Sequence, residues 1–229
     1  MSELRATTRL VGILGWPVEH SLSPRMQNAA FAALGLDWAY VPLPTPPERL
    51  EEAVRGLAAL GFVGANVTAP HKLAIAALCD TDSPSVNTLT IADGRVEGRS
   101  TDAAILAGLT ADSPVVIGDG GAATAFVDAL PHARRYSRRT IWPPDARGAD
   151  LVVNATSVRD DALVQLEPGQ TLVDLPYPDT ATADAARAAG ATVVSGLDVL
   201  VAQGAASFEL WTGEPAPVDA MRSALGFPA

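Results

Sequence analysis

Short apolar runs alternate with amphipathic segments along the first hundred residues. The run from Arg9 to Leu14 ends at a glycine, and its continuous apolar character predicts a strand buried on both faces. A serine and a proline begin the next segment, which predicts a helix over 24–34 with Ser23 as its N-cap. The same patterns predict strands at 38–43, 61–67 and 86–91, a helix that Thr45 and Glu48 open as a capping box, and a helix at 70–78.

The alternation of strand and helix patterns begins again near residue 102. Such alternation is typical of a mostly parallel sheet that is covered by helices. We therefore expect an α/β fold built from two units. From residue 102 onward the predicted strands are 114–117, 133–137, 151–153, 171–173 and 192–194, and the predicted helices are 102–109, 121–130, 181–189, 197–211 and 217–225.

The composition excludes several classes of partner. A net charge of −10 at pH 7 leaves no basic surface for a nucleic acid backbone. No stretch is apolar for long enough to predict a membrane span or a signal peptide, so we expect a cytoplasmic protein without a membrane partner. The single Cys79 cannot form an internal disulfide, and with three histidines it offers no metal-ligand spacing, so no metal site is expected.

A glycine-rich loop lies between a predicted strand and a predicted helix. Gly118, Gly120 and Ala123 give a G-x-G-x-x-A spacing in the stretch Gly118-Asp119-Gly120-Gly121-Ala122-Ala123. In dinucleotide-binding units the first glycine makes the tight turn, the second lets the backbone approach a pyrophosphate, and the third position packs helix against strand. The alternative, a glycine-rich turn with no ligand, remains open at this point.

The residues at the end of the predicted strand 133–137 indicate whether NAD or NADP is preferred. A carboxylate that would bind the ribose hydroxyls of NAD is missing there, and Arg138 and Arg139 follow the strand instead. Two adjacent arginines favour a 2′-phosphate and hence NADP, although they could equally be a solvated edge of the sheet. Asp119 lies inside the glycine loop, where a negative charge is unfavourable near a pyrophosphate unless it points to solvent.

Four short strings place small polar side chains where ligands collect in α/β sheets, at strand ends and helix starts. A polyol carboxylate would suit such a lining. The strings are GWPVEHSLSP at 15–24, NVTAPHK at 66–72, VNT at 86–88 and STD at 100–102. Within them, His20 is expected to orient its loop and His71 to be exposed.

With these strings in order, the chain resembles the shikimate dehydrogenase family over essentially its whole length. The resemblance implies a mixed-sheet α/β substrate domain followed by a small Rossmann-like NAD(P)-binding domain. It implies hydride transfer between NADP, with NAD as a possible substitute, and the 3-dehydroshikimate/shikimate couple or a close cyclitol carboxylate. It also implies that Lys72 and Asp102 form a catalytic pair, that Ser21, Ser23, Asn66, Thr68, Asn87, Tyr177 and Gln203 surround the substrate, and that Gly118, Gly120, Gly121, Ala122, Arg138, Arg139, Thr140, Leu175, Gly196 and Val199 contact the cofactor.

The implied catalytic pair has a plain chemical rationale. Hydride that arrives at a ketone carbon leaves negative charge on the oxygen, and a nearby ammonium can stabilise and protonate that oxygen. Lys72 fits this role, with Asp102 as its proton-exchanging partner. Considered alone, Lys72 would be an exposed helix lysine and Asp102 a helix N-cap. Leu175 and Val199 could equally be apolar packing residues.

The resemblance also predicts the domain boundaries and leaves alternatives open. Residues 1–101, with a C-terminal return at 204–229, would form the substrate domain, and 102–203 the cofactor domain of a monomer or homodimer. The chain is short for the family, and Ser100, Asp119 and Asp198 depart from its usual residues. A catalytically reduced shikimate-like binding or regulatory protein is therefore one alternative, and a hydride-transfer enzyme on a folate-like substrate is another.

Overall fold

The computed structural model describes residues 4–227, which divide into two compact units. The first runs to Thr101 and resumes at Val201, and the second is Asp102–Leu200. The return to the first unit thus begins three residues before the expected position of 204. The assignment of substrate and cofactor to the two units stays a prediction.

The first unit is built on a five-stranded mixed sheet in the order β2-β1-β3-β4-β5. β1 pairs in parallel with β2 and β3, whereas β4 runs antiparallel to β3, and β5 to β4. This confirms the expected mixed sheet. The strands are β1 (Arg9–Gly15), β2 (Trp38–Pro44), β3 (Gly64–Val67), β4 (Thr88–Ala92) and β5 (Arg95–Arg99), with helices α1 (Ser23–Ala33) and α2 (Leu50–Ala59).

Helices cover both faces of this sheet. Leu50, Val54 and Leu57 recur at helical spacing on α2 and are buried in one cluster with residues of β3 and β4. On α1, Phe31 stacks on Trp38, with ring centres 5.4 Å apart. The strands between these helices are buried on both sides, which explains why their sequences are continuous apolar runs.

The hairpin of β4 and β5 was missed in the sequence. Ala92 and Arg95 pair across a two-residue turn, in which Asp93 has φ 50° and Gly94 has φ 77°. An Asp-Gly pair is a strong hairpin signal because both central residues of this turn need positive φ. The strand from Arg95 to Arg99 alternates exposed and partly buried positions, so it lacks the apolar run that marked the other strands.

Three predictions about helices in this part of the chain were wrong. Residues 70–78 form only a 3-10 helix at Ala74–Leu78, and two residues before it bond to other segments: the His71 ring to Thr45 O and the Lys72 carbonyl to Val86 N. The Thr45 hydroxyl donates to Leu43 O (2.9 Å) and caps no helix, so the capping box is absent. Ser23 is the first residue of α1 and provides no side-chain cap.

The second unit is built on a five-stranded, fully parallel sheet in the order β10-β9-β8-β6-β7. The chain moves outward from β6 to β7 and then returns to the other side of β6 with β8, which creates a topological switch point between β6 and β8. Its elements are β6 (Val115–Ile117), α3 (Gly121–Ala129), β7 (Arg134–Tyr136), β8 (Leu151–Asn154), β9 (Thr171–Asp174), α4 (Ala181–Ala188) and β10 (Thr192–Val194). The helix α5 (Gly196–Thr212) begins in this unit and continues into the first, and α6 (Val218–Ala224) belongs to the first unit.

This arrangement confirms the expected Rossmann-like α/β sheet. Buried side chains from β6, β8 and β9 form clusters on its two faces, with Phe126 of α3 in one and Ala183 of α4 in the other. The predicted helix at 102–109 is a 3-10 helix at Asp102–Gly108. Within residues 4–227 no helix has the length and apolar character needed to cross a membrane.

Candidate active site

Hydrogen bonds tie together the three loops at the carboxyl ends of β1, β2 and β3. Thr45 N donates to Gly15 O (3.0 Å), and Trp16 N donates to Ala69 O (3.1 Å). The Nε2–H group of His71 donates to Thr45 O (2.8 Å). Because the three strands are parallel, their loops meet at one edge of the sheet, which is where ligands collect in α/β folds.

Ser21, Ser23 and Thr68 lie on these loops or directly beside them. Ser23 N donates to Ser21 Oγ (3.3 Å) at the start of α1, and Thr68 N donates to Leu14 O (2.8 Å) at the end of β1. Ser21 and Thr68 are half-buried, so their hydroxyls can meet a ligand, whereas Ser23 is buried.

Lys72 follows β3 on a loop that is held at two points. Its carbonyl oxygen accepts a hydrogen bond from Val86 N (2.9 Å), just before β4. The preceding His71 is 1% exposed, so the expectation that it is exposed was wrong. Its ring anchors the loop to Thr45, so this contact and the hydrogen bond between the Lys72 carbonyl and Val86 N hold the backbone at the half-buried Lys72.

Asn66 is the centre of a buried polar network. Its Oδ1 accepts a hydrogen bond from Tyr40 OH (2.8 Å), and its Nδ2 lies 2.9 Å from Ser207 Oγ and 3.1 Å from Asn87 O. Asn66 is 4% exposed, so these bonds also offset the cost of burying its amide. The network therefore fixes one orientation of this side chain at the sheet edge.

Asn87 contacts Gln203, which is another predicted position, and Thr101. Its Oδ1 accepts from Thr101 N (2.7 Å), and its Nδ2 lies 3.3 Å from Gln203 Oε1 on α5. Thr101 Oγ1 donates to Gln203 O (3.1 Å). The structure thus brings Asn66, Asn87 and Gln203 together within the first unit.

The sequence reasoning missed four members of this network. Thr88 and Thr101 lie inside the quoted VNT and STD strings, so their neighbours could have identified them. Ser207 lies one helical turn after Gln203 on α5, and that spacing is its only signal. Tyr40 lies in an apolar strand and carries no local signal.

Asp102 begins the 3-10 helix of the second unit and is 6% exposed. Charged side chains are almost never buried to this degree unless they have partners. It directly follows Thr101, whose backbone is held by Asn87. Its role as the partner of Lys72 stays a prediction.

The glycine loop at 118–121 adopts the geometry that its spacing predicts. Gly118 has φ 137°, and a Cβ atom there would lie 2.8 Å from Ala155 O, so no other residue fits. Gly120 has φ −81°, and a Cβ atom there would meet no heavy atom within 4 Å. The buried Ala123 of α3 packs against the loop at Gly118, so the open face of the loop is at Gly120. The loop follows β6 and therefore lies at the switch point. Gly121 and Ala122 form the first turn of α3, whose N-terminal end favours anions.

The strand next to the glycine loop is β7, and a turn follows it. This turn carries Arg138, Arg139 and Thr140. Gly118 N donates to Tyr136 O (2.8 Å), which fixes the two segments to each other. Both arginines and Thr140 are exposed. The sheet therefore places positive charge beside the glycine loop.

A buried carboxylate organises the ends of β8 and β9. Asp174 Oδ1 accepts from Asn154 Nδ2 (2.7 Å), and Oδ2 accepts from Thr180 Oγ1 (2.9 Å). Burial raises the pKa of Asp174, while the hydrogen bonds from Thr180 and Asn154 lower it, and the net direction is upward. The Thr180 hydroxyl also accepts from Ala183 N as the cap of α4.

We expect Thr180→Ala to lower the free energy of unfolding by about 1.5 kcal/mol, because it removes a helix cap and one donor to a buried carboxylate. Thr180→Ser keeps the hydroxyl and is expected to retain most of the stability. Urea unfolding followed by circular dichroism measures both variants. Equal losses in the two variants would contradict the role given to the hydroxyl.

The remaining cofactor positions follow β9 and begin α5. Gly196 packs against the carbonyl groups of Leu175 and Pro176, and Val199 is buried in the same cluster as Leu175. Tyr177 is half-buried on the same loop. Ser195 N donates to Asp198 Oδ2 (3.3 Å), and Asp198 N donates to Ser195 Oγ (3.2 Å), which makes a capping box for α5. The departure at Asp198 thus has a structural role.

Among residues 4–227, no cluster of His, Cys, Asp or Glu has the arrangement of a metal site. The second unit does fit a dinucleotide: a tight glycine turn at the switch point, an open glycine face, a helix N-terminus and two exposed arginines. The arrangement can hold a nucleotide pyrophosphate in one unit and a small polar molecule in the other.

Comparisons with known proteins agree with this geometry. Residues 13–90 match the family described as shikimate dehydrogenase substrate binding domain, and residues 196–225 match the shikimate 5′-dehydrogenase C-terminal domain. The shikimate dehydrogenase (NADP(+)) of Anaeromyxobacter sp. (strain Fw109-5) is 43% identical over an alignment that covers 96% of this chain and 97% of that protein.

Two further relatives extend the similarity. The shikimate dehydrogenase (NADP(+)) of Methanopyrus kandleri is 40% identical over an alignment that covers 96% of each chain. The crystal structure of shikimate 5-dehydrogenase from Thermus thermophilus in complex with NADP(H) and shikimate aligns with a TM-score of 0.84 at 32% identity, over 95% of this chain and 98% of that one.

Proposed function

The chain belongs to the shikimate dehydrogenase family, and we propose that it interconverts 3-dehydroshikimate and shikimate by NADP-dependent hydride transfer. It is an oxidoreductase of two α/β units, as the resemblance of its sequence implied. The observation that carries the proposal is that the first unit has a polar sheet edge and that the second unit has a glycine loop at its switch point. This favours an active enzyme over a binding or regulatory protein with an impaired cofactor unit.

NADP is the cofactor that the second unit fits. When bound, NADP(H) supplies or accepts the hydride. The backbone of Gly118, Gly120, Gly121 and Ala122 would hold the pyrophosphate, and Arg138, Arg139 and Thr140 would hold the 2′-phosphate. Leu175, Gly196 and Val199 would contact the nicotinamide. These assignments are supported by the open face at Gly120 and by the exposed arginines on the neighbouring strand.

The first unit supplies the residues for the substrate. We propose that the side chains of Ser21, Ser23, Asn66, Thr68, Asn87 and Gln203, together with Tyr177, surround a ring that carries hydroxyls and a carboxylate. Neutral hydroxyl and amide groups match the hydroxyls of such a ring as donors and acceptors. The buried bonds of Asn66 and Asn87 hold these two amides in fixed orientations, which lowers the entropic cost of binding.

Lys72 and Asp102 would carry the proton that accompanies the hydride. In the direction of reduction, the Lys72 ammonium would donate a proton to the carbonyl oxygen as negative charge develops there. In the reverse direction, the pair would accept the proton of the substrate hydroxyl. The fixed backbone at Lys72 and the burial of Asp102 support these roles.

The test of this function is the absorbance of reduced nicotinamide. We expect the purified chain to reduce NADP with shikimate and to be slower with quinate or with NAD. Isothermal titration with shikimate alone measures substrate binding independently of turnover. Retained shikimate binding with no turnover for any pair of substrate and cofactor would favour the binding protein instead. A cytoplasmic location and a monomeric or homodimeric state stay predictions.

A further inference from the structure

Asp119 and Arg139 form an ion pair at the carboxyl ends of β6 and β7. Asp119 Oδ2 lies 3.4 Å from Arg139 Nε, although α3 and β7 separate the two residues in sequence. Ile117 lies opposite Tyr136 in the parallel ladder, so the loops that carry the pair leave the sheet side by side. The side chains are 40% exposed for Asp119 and 84% exposed for Arg139, so an incoming ligand can reach the pair.

A closed turn holds the two arginines in different surroundings. Thr140 N donates to Ser137 O (3.1 Å), and the hydroxyls of Ser137 and Thr140 lie 3.0 Å apart. The guanidinium of Arg138 lies 5.4 Å from the centre of the Trp142 ring. Arg138 is therefore directed to an aromatic ring, and Arg139 to a carboxylate.

This difference bears on how the two nicotinamide cofactors are distinguished. NADP carries a phosphate on the adenosine ribose where NAD carries a hydroxyl, and a phosphomonoester has a charge of about −1.5 to −2 at pH 7. A carboxylate next to Arg139 partly neutralises the cation and repels a second anion. A ribose hydroxyl is neutral and can donate a hydrogen bond to a carboxylate, which is how many NAD sites bind it.

We propose that Asp119 is a specificity-determining residue, which lowers the preference for NADP over NAD by pairing with Arg139 next to the 2′ position of the ribose. The proposal rests on the proposed function, since it assumes that the glycine loop binds a nucleotide. The selectivity then depends on competition between a carboxylate and a phosphate for one guanidinium.

The test uses two probes that differ only in the 2′-phosphate. Isothermal titration of the full chain with 2′,5′-ADP and with 5′-AMP gives the ratio of their affinities. We expect Asp119→Ala to raise this ratio in favour of 2′,5′-ADP by about three- to fivefold at low salt, which is the size of an exposed ion pair. Repulsion between Asp119 and the 5′-phosphate is common to both probes and cancels in the ratio.

Two matched variants isolate the cause. Asp128→Ala removes an exposed carboxylate from the last turn of α3 and changes the net charge by the same amount, so its ratio is expected to match the native one. Arg139→Ala removes the guanidinium, and in that background Asp119→Ala is expected to change the ratio less, because only the direct repulsion between Asp119 and the 2′-phosphate remains. High salt should reduce the effect of Asp119→Ala, because the pair is exposed.

The possible outcomes separate this proposal from the function on which it rests. An unchanged ratio in Asp119→Ala, with both probes still bound, would overturn the role of Asp119 and leave the cofactor site standing. Failure of both probes to bind the native chain would overturn the cofactor site and this proposal with it. A full effect that persists without Arg139 would overturn the ion pair as the cause.

Discussion

Lys72→Ala is expected to lower the turnover of shikimate about a thousandfold, while the dissociation constant for shikimate changes by less than about fivefold. The ammonium is needed most when charge develops on the substrate oxygen, so its loss raises the barrier more than it weakens the ground state. Stopped-flow absorbance of reduced nicotinamide measures the turnover, and isothermal titration with shikimate measures the affinity.

Lys72→Arg is the matched control, because it keeps the positive charge and loses the exchangeable proton. Arginine cannot be deprotonated in proteins, so we expect this variant to remain about a hundredfold below the native turnover. Near-native turnover in Lys72→Arg would show that only the charge is needed. Native turnover in Lys72→Ala would remove the residue from the mechanism.

Lys72 is also the only lysine in the chain, since every other Lys or Arg position is an arginine. A permanently charged arginine serves ion pairs and phosphates but cannot exchange a proton, whereas the amine of a lysine can. This signal was present in the sequence and was not used. Because Lys72 is the single lysine, reductive methylation with a ¹³C label marks only Lys72 and the terminal amine. NMR of this label can then follow the titration of Lys72 in the native and Asp102→Asn chains.

The strands of both sheets could be predicted because most are buried on both faces. Such strands are continuous apolar runs bounded by glycine or proline, as in β6, which lies between Pro114 and Gly118. The β5 strand of the hairpin lacks that signal, since it lies at an edge of the sheet and alternates in exposure. Its turn, Asp93-Gly94, was the available clue.

The candidate site was predictable only where its residues cluster in local strings. Asn66 and Asn87 lie in such strings, and the structure joins them to Gln203 through backbone and side-chain bonds. Tyr40 completes the network from a strand whose sequence is apolar, so nothing local distinguishes it. Pairing between adjacent strands brings together residues that are distant in sequence, as with Asp119 and Arg139, and the order of the strands must be known before such contacts can be foreseen.

Gly118→Ala and Gly120→Ala make the same change two residues apart, but we expect the first to lower the stability of the fold and the second to lower the affinity for NADP. At Gly118 the backbone has φ 137° and a Cβ atom would lie 2.8 Å from Ala155 O, so we expect alanine to lower the free energy of unfolding by about 3 kcal/mol. At Gly120 the backbone suits any residue and a Cβ atom meets nothing within 4 Å, so we expect stability to change by less than about 0.5 kcal/mol.

The binding of NADP then separates a structural glycine from one that a ligand needs. If the pyrophosphate lies against Gly120, alanine there fills the space that the backbone leaves open, and we expect the affinity for NADP to fall at least about tenfold. Thermal unfolding and isothermal titration with NADP measure the two effects separately on the same samples. Native affinity in Gly120→Ala would show that the loop is a glycine-rich turn without a ligand at this face, because the chain has no structural need for glycine there.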